Sequence, residues 1–340
     1  MKIITYLFMV YKNSNFVKHI FERLKGDNVR FFVHVDIKST EDFSCLKEIP
    51  NVRFSSVRFS SAWGGSGFVY AIAHCLQEIV EASNTDFIVL MSESDYPIKS
   101  GEYIHHYISE SNKDFATVSV LPNDNPLHSP GGYWIEGGMR RVKCYAVRFG
   151  NKGIATIEPQ TMNWGNIRQF GKLLLKAPDK LGEAFSCLFK PVRKCPTGLR
   201  WCGGDLWFTL RIETVRKIVE YLEKDDSVLK EAEVSSCLDE VVFPTLIDTF
   251  SPKDERVDSI LRYVNWPEGK SNSPAYIEMS QTELIDSLIK NKTMLFARKM
   301  QSLDMAYYID NKIHINLRGG VIIRLYSSIY RAASLYKLAV

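Results

Sequence analysis

The 340-residue chain has no apolar run near the roughly 20 residues needed to cross a bilayer, so no membrane-spanning helix is expected. Its opening residues are apolar after Lys2. No small-residue cleavage site follows, and Tyr11-Lys-Asn-Ser14 reads as a strand end and a helix cap, so the start is not read as a signal peptide. The seven cysteines (45, 75, 144, 187, 195, 202, 237) are odd in number and contain no C-x-x-C pair. That spacing suggests neither a zinc site nor a disulfide framework, and a reducing cytoplasm is expected. A single disulfide among Cys187, Cys195 and Cys202 stays open. Charge of one sign is scarce as well: 43 basic against 39 acidic residues leave +4, spread without an obvious cluster. No nucleic-acid partner is expected on that balance; an anionic small substrate or loose contact with an acidic membrane is compatible with it. There is no Gly-x-Gly-x-x-Gly between the first strand and helix, which argues against a dinucleotide fold of the common kind. No Walker phosphate loop, internal repeat or low-complexity tract is present.

What is there is ordinary globular material. Hydrophobic residues make up 45% of the chain, enough for a sizeable core in one large domain or two smaller ones. Lys2 to Val10 reads as a buried strand. Asn13 or Ser14 caps a helix carrying Phe16, Ile20, Phe21 and Leu24, closed by Gly26. Strands follow over Val29 to Asp36 and Val52 to Phe59. Trp63-Gly-Gly-Ser-Gly67 is either a tight turn or a phosphate cradle. A helix then runs from Phe68 to Ala82. Phe87 to Met91 is a continuous apolar run, as in a strand buried on both faces. It ends in Ser92-Glu-Ser-Asp95, acids delivered to the sheet edge where open α/β folds place ligand sites. This β-α-β-β-α-β order predicts an α/β fold with a mostly parallel central sheet and helices on both faces.

Beyond the helix near Tyr103 to Ser109 and a strand over Phe115 to Val120, residues 121–165 look irregular and long for a connection. Tyr133, Trp134, Arg140 and Arg141 in that stretch suit a sugar face, where rings stack and polar groups hydrogen-bond. A strand at Leu206 to Leu210 and a helix from Ile212 to Glu223 follow. Asp239 and Glu240 adjoin the apolar Val241-Val-Phe-Pro-Thr245, so one of the two acids is expected to be partly buried and able to act as a base. Residues 321–340 mix Arg324, Arg331 and Lys337 with Ile, Leu and Tyr. They read as a basic amphipathic helix that packs on the domain or touches a membrane surface.

Several stretches, taken in order, carry a resemblance. They are Tyr6-Leu-Phe-Met-Val-Tyr-Lys-Asn13, Val33-His-Val-Asp-Ile-Lys-Ser39 and Val57-Arg-Phe-Ser-Ser-Ala-Trp-Gly-Gly65. Further along come Leu90-Met-Ser-Glu-Ser-Asp-Tyr-Pro-Ile-Lys-Ser100, Gly203-Gly-Asp-Leu-Trp-Phe-Thr-Leu-Arg211, Leu238-Asp-Glu-Val-Val-Phe-Pro-Thr245 and Leu295-Phe-Ala-Arg-Lys-Met300. Together they resemble the Core-2/I-branching β-1,6-N-acetylglucosaminyltransferase family, which includes the peptide O-xylosyltransferases. Each motif is weak alone; their order is the specific signal.

The resemblance implies a GT-A-type nucleotide-sugar fold over residues 1–300, with 301–340 as an extension. It implies an inverting, metal-independent transfer of a sugar, N-acetylglucosamine or xylose, from a UDP-sugar to a hydroxyl of a glycan or lipid-linked glycan. Glu240 would be the general base. Lys299, with Arg298, would neutralise the departing diphosphate. Val33, His34 and Asp36 would surround the nucleotide, and Asp95 would lie near the donor sugar. Trp266 would stack on the acceptor, with Asp239, Tyr133 and Arg140 in the acceptor wall. No resident cofactor is implied; the UDP-sugar is a co-substrate.

Two departures stand out. The family's second diphosphate-binding arginine has no counterpart in Ser273-Pro-Ala-Tyr276, where Lys270 is the nearby substitute. Glu93 stands where the family has a small residue, so Glu93-Ser-Asp95 looks like the acid pair of a metal-dependent transferase holding manganese or magnesium. That variant and an inactive carbohydrate-binding protein on the same fold are the alternatives. The absence of the N-terminal anchor and stem of Golgi members leads to the expectation of a bacterial cytoplasmic enzyme, peripheral to the inner membrane through residues 321–340.

Overall fold

The computed structural model describes residues 2–62, 64–82, 84–123, 134–150, 153–267 and 273–314. Its centre is a seven-stranded sheet. From one edge the strands are Arg256–Val257, Asp114–Phe115, Thr209–Arg211, Phe87–Ser92, Ile4–Val10, Val29–Val35 and Val52–Phe54. Ile4–Val10 runs parallel to both of its neighbours, pairing Leu7 with Phe32 and with Leu90. Thr209–Arg211 alone is antiparallel, to Phe87–Ser92 on one side and to Asp114–Phe115 on the other.

The continuous apolar runs are explained by the period of two. Tyr6, Phe8, Val89 and Met91 enter one core, with the helices Ser14–Leu24, Gly101–Ser111 and Thr282–Lys290. Leu7, Met9, Ile88 and Leu90 enter the other, with Gly67–Ala82, Ile212–Lys224 and Asp239–Phe250. A strand that feeds two cores has no solvent face and so shows no polar alternation.

Several expectations are corrected. The Ser14–Leu24 helix is not capped by Asn13, which adopts a left-handed conformation; Ser14 N–H donates to Glu41 Oε2 at 2.9 Å instead. The third strand stops at Phe54, because the chain leaves it to place Arg58 and Ser61 around Asp36. The Phe115 to Val120 stretch divides: Asp114–Phe115 stays in the main sheet, whereas Ser119–Val120 pairs with Cys202–Gly203. The strand expected at Leu206 to Leu210 lies at Thr209–Arg211. Residues 121–165 are not a loop throughout. The hairpin Tyr145–Phe149/Gly153–Ile157 and the helices Trp164–Lys176 and Leu181–Cys187 form a lobe with its own small core of Val147, Ala155, Ile157 and Leu173.

The boundary at residue 300 does not hold either. Residues 303–314 are helical, and Met305, Ala306, Ile309 and Ile313 are buried in the first core. Asp310 accepts the Tyr96 hydroxyl proton at 2.8 Å. The expected 321–340 helix lies outside the described residues, as do Trp63, Tyr133 and Lys270. All seven cysteines are free thiols.

Candidate active site

A second, three-stranded sheet meets the carboxyl end of the first. Arg262–Val264, Phe296–Arg298 and Tyr96–Pro97 compose it, so residues far apart in sequence converge just beyond Ser92. Between this junction and the start of the Asp239–Phe250 helix lies a cleft of about 710 Å³. Its walls take His34, Asp36, Glu93, Asp205, Trp207, Asp239, Glu240, Trp266, Tyr276, Arg298 and Lys299. A cleft of this size, at the carboxyl ends of parallel strands, suits a small ligand.

Glu240 owes its position to a proline. In the Asp239–Phe250 helix, Pro244 has no N–H to give to the carbonyl four residues back, which is that of Glu240. Gly204 N–H donates to this carbonyl instead, at 3.1 Å. Gly204 must be glycine, since a Cβ there would sit 1.9 Å from the Thr117 carbonyl oxygen. The Glu240 side chain is 39% exposed, and its Oε2 accepts from Arg141 Nη1 at 2.5 Å. Arg141 also stacks on Trp134, 4.0 Å from the ring centroid, and donates to the Cys237 carbonyl. Asp239, beside it, is pushed up to about 6 by burial and by the Glu240 charge, against the pull of Arg141.

The acids after the strand behave differently. Asp95, expected beside the donor sugar, is fully buried and does not line the cleft. Arg262 Nη1 reaches its Oδ1 at 3.0 Å, Arg298 Nη1 its Oδ2 at 3.1 Å, and Ser92 donates through N–H and Oγ at 2.7 and 2.8 Å. Burial alone would raise this carboxyl, but Arg298 and Arg262 outweigh it and hold it below the usual range. Both guanidiniums also cover Trp207, at 4.0 and 5.0 Å from its centroid. Glu93 does line the cleft and is pushed up to about 7 by burial. Glu93-Ser94-Asp95 therefore does not turn two carboxylates to the cleft, because both Asp95 oxygens are already bonded to cations. The acid pair read as a metal site is corrected on that geometry.

His34 and Asp36 line the cleft as expected. Burial lowers the His34 imidazole to about 4, and its Nε2 accepts Phe59 N–H at 2.9 Å, so the ring is neutral with its proton on Nδ1. Asp36 binds Lys38 N–H at 2.8 Å and Ser61 N–H at 2.7 Å, tying two loops to the rim. Val33 departs from the expectation: its side chain is buried in the first core, because alternation sends it to the opposite face from His34. Lys299 lines the cleft, with Nζ donating to Ser273 Oγ at 2.5 Å, and Trp266 lines it too.

Arg140, expected in the acceptor wall, turns away to Glu136 and to the carbonyl and hydroxyl of Thr156. Its neighbour Arg141 faces Glu240. Trp207 and Arg262 are the residues that sequence reasoning missed as site members; Arg141, read as part of a sugar face, instead holds Glu240. The basic stretch after Gly138 is the one signal that pointed to Arg141.

Residues 4–133 match the family model described as Core-2/I-Branching enzyme. The chain is 22% identical over 244 residues to a Drosophila melanogaster protein described as xylosyltransferase oxt, covering 69% of this chain and 23% of that one. It is 24% identical over 247 residues to Mus musculus xylosyltransferase 1, covering 69% and 21%. The matched part is thus under a quarter of the length of these relatives. Among solved structures, a galactosyltransferase crystallised with donor and acceptor sugar analogues aligns over 86% of each chain, at 10% identity and a TM-score of 0.34. The similarity to Core-2/I-Branching enzymes thus lies over residues 4–133.

Proposed function

We propose that the chain is an inverting glycosyltransferase of GT-A type that moves a sugar from a UDP-sugar to a hydroxyl of a glycan or lipid-linked glycan, without a metal. The observation that carries this reading is that a half-exposed carboxylate, Glu240, and a cation, Lys299, line one cleft. Glu240 takes the acceptor hydroxyl proton, and Oε1 is the oxygen that Arg141 leaves to it. The acceptor oxygen forms its bond to the anomeric carbon as the bond to the diphosphate oxygen breaks on the opposite face. The electron pair leaves with the diphosphate, and Lys299 stabilises the charge that develops there. Arg298 gives Nη1 to Asp95 and lies over Trp207, and it lines the cleft beside Lys299. Trp266 and Tyr276 offer rings to the sugars. Of the two donor sugars, N-acetylglucosamine and xylose, xylose is favoured by the names of the matched relatives.

The test is a UDP-sugar panel in excess EDTA, scored for UDP release and for transfer to mixed sugar acceptors. Activity with one donor that survives EDTA and collapses in Glu240→Gln is expected. Loss of all activity in EDTA with recovery on manganese, or full activity in Glu240→Gln, refutes this mechanism.

A further inference from the structure

The lobe built on residues 145–195 presents an apolar surface that its own fold does not use. In the Trp164–Lys176 helix, Asn166 and Leu173 face inward and Phe170 packs on the lobe core. At 100° per residue, Trp164, Ile167, Leu174 and Leu175 fall in one stripe about 100° wide, with Trp164 and Leu175 opposite the inward side and Ile167 and Leu174 on its flank. They are exposed by 84%, 45%, 63% and 85%. Phe185, Phe189 and Val192, further along the same lobe, are also exposed, the two rings edge-on at 5.3 Å. Single exposed apolar side chains are unremarkable, but an aligned apolar face on an outward helix side marks an interaction surface.

Charge decides what it meets. Residues 160–194 carry seven basic side chains, of which Arg193 is buried against Glu231, and two acidic ones, Asp179 and Glu183, whereas the whole chain nets +4. The even spread read from the sequence is therefore corrected: this stretch alone nets +5. Arg168 and Lys176 are exposed beside the apolar stripe, and Lys172 is drawn to the Ile154 carbonyl, pinning the helix to the hairpin. Two such faces pressed together in a symmetric dimer would bring like charges into contact. An anionic phospholipid surface takes both components, cations at the headgroups and Trp and Leu at the acyl boundary.

We propose that the Trp164–Lys176 face is a peripheral docking surface for an anionic membrane. This inference does not rest on the reading of the cleft. It is tested by co-sedimenting the full chain with vesicles of equal phosphatidylglycerol and phosphatidylcholine, and with phosphatidylcholine alone. Binding to the anionic vesicles, weakened by salt, is expected. The double variant Leu174→Glu/Leu175→Glu should bind at least about tenfold more weakly with an unchanged unfolding temperature, since both positions are exposed. Arg168→Ala/Lys176→Ala should weaken binding and flatten its salt dependence. Wild-type chain left in the supernatant overturns the proposal. So does binding that the leucine variant leaves intact, which would place the contact elsewhere, for instance in residues 321–340. A dimer seen by light scattering and dissolved by that variant, without vesicle binding, overturns it in favour of self-association.

Discussion

Asp95 and Glu240 are two carboxylates beside one cleft, and their surroundings could hardly differ more. Asp95 ends a strand buried on both faces and is held by two guanidiniums and a serine. Glu240 starts a helix, keeps 39% of its side chain exposed and has one arginine partner. The contrast shows that the sheet edge supplies a site's frame as readily as its chemistry. A fully satisfied, fully buried acid has no oxygen left to offer a substrate, whereas a half-exposed one does.

The sharpest way to break this contrast is to remove each charge in turn. Glu240→Gln should lower the transfer rate about 10²- to 10⁴-fold while leaving urea unfolding nearly unchanged. Asp95→Asn should do the reverse in kind. It leaves two buried guanidiniums short of a counter-charge, and a loss of about 3–5 kcal/mol in urea unfolding is expected. A stable Asp95→Asn protein with weakened donor binding would return Asp95 to the cleft. Lys299→Ala is expected to weaken UDP binding by calorimetry by roughly ten- to a hundredfold, the range of a charge-assisted hydrogen bond. The smallest effect concerns Glu93. Its folded value of about 7 lies above the ordinary glutamate value of 4.5, so the fold favours its protonated form. That contribution is complete below about pH 4.5 and is lost as pH rises through about 7. Glu93→Gln should therefore match the wild type at about pH 4 and be more stable at about pH 8, by about 1–2 kcal/mol once partial exposure is allowed for. Equal thermal shifts at both pH values would show that Glu93 is solvated.

The parallel core was legible because Phe87 to Met91 is apolar at every position and Ile4 to Val10 at every position but Thr5, a pattern that a doubly buried strand needs. The acids were legible as types, but not their fates. Arg262 and Arg298 lie 167 and 203 positions from Asp95, and no local pattern announces such partners. Arg140 and Arg141 are adjacent on one helical turn, so about 100° of rotation decides which of them meets Glu240. The Tyr145–Phe149/Gly153–Ile157 hairpin escaped notice because Val147, Ala155 and Ile157 alone among its side chains are fully buried, too weak an alternation to stand out.

The Asp95 junction has a mechanical consequence. With the Arg262 bond to the Leu90 carbonyl beside it, it rivets the strand Phe87–Ser92 of the large sheet to Arg262–Val264 and Phe296–Arg298 of the small one. Neither sheet can swing open without stranding a charge in a dry interior. Amide hydrogens in the two sheets should therefore exchange as one cooperative unit, and the cleft between the junction and Glu240 has a floor that cannot hinge.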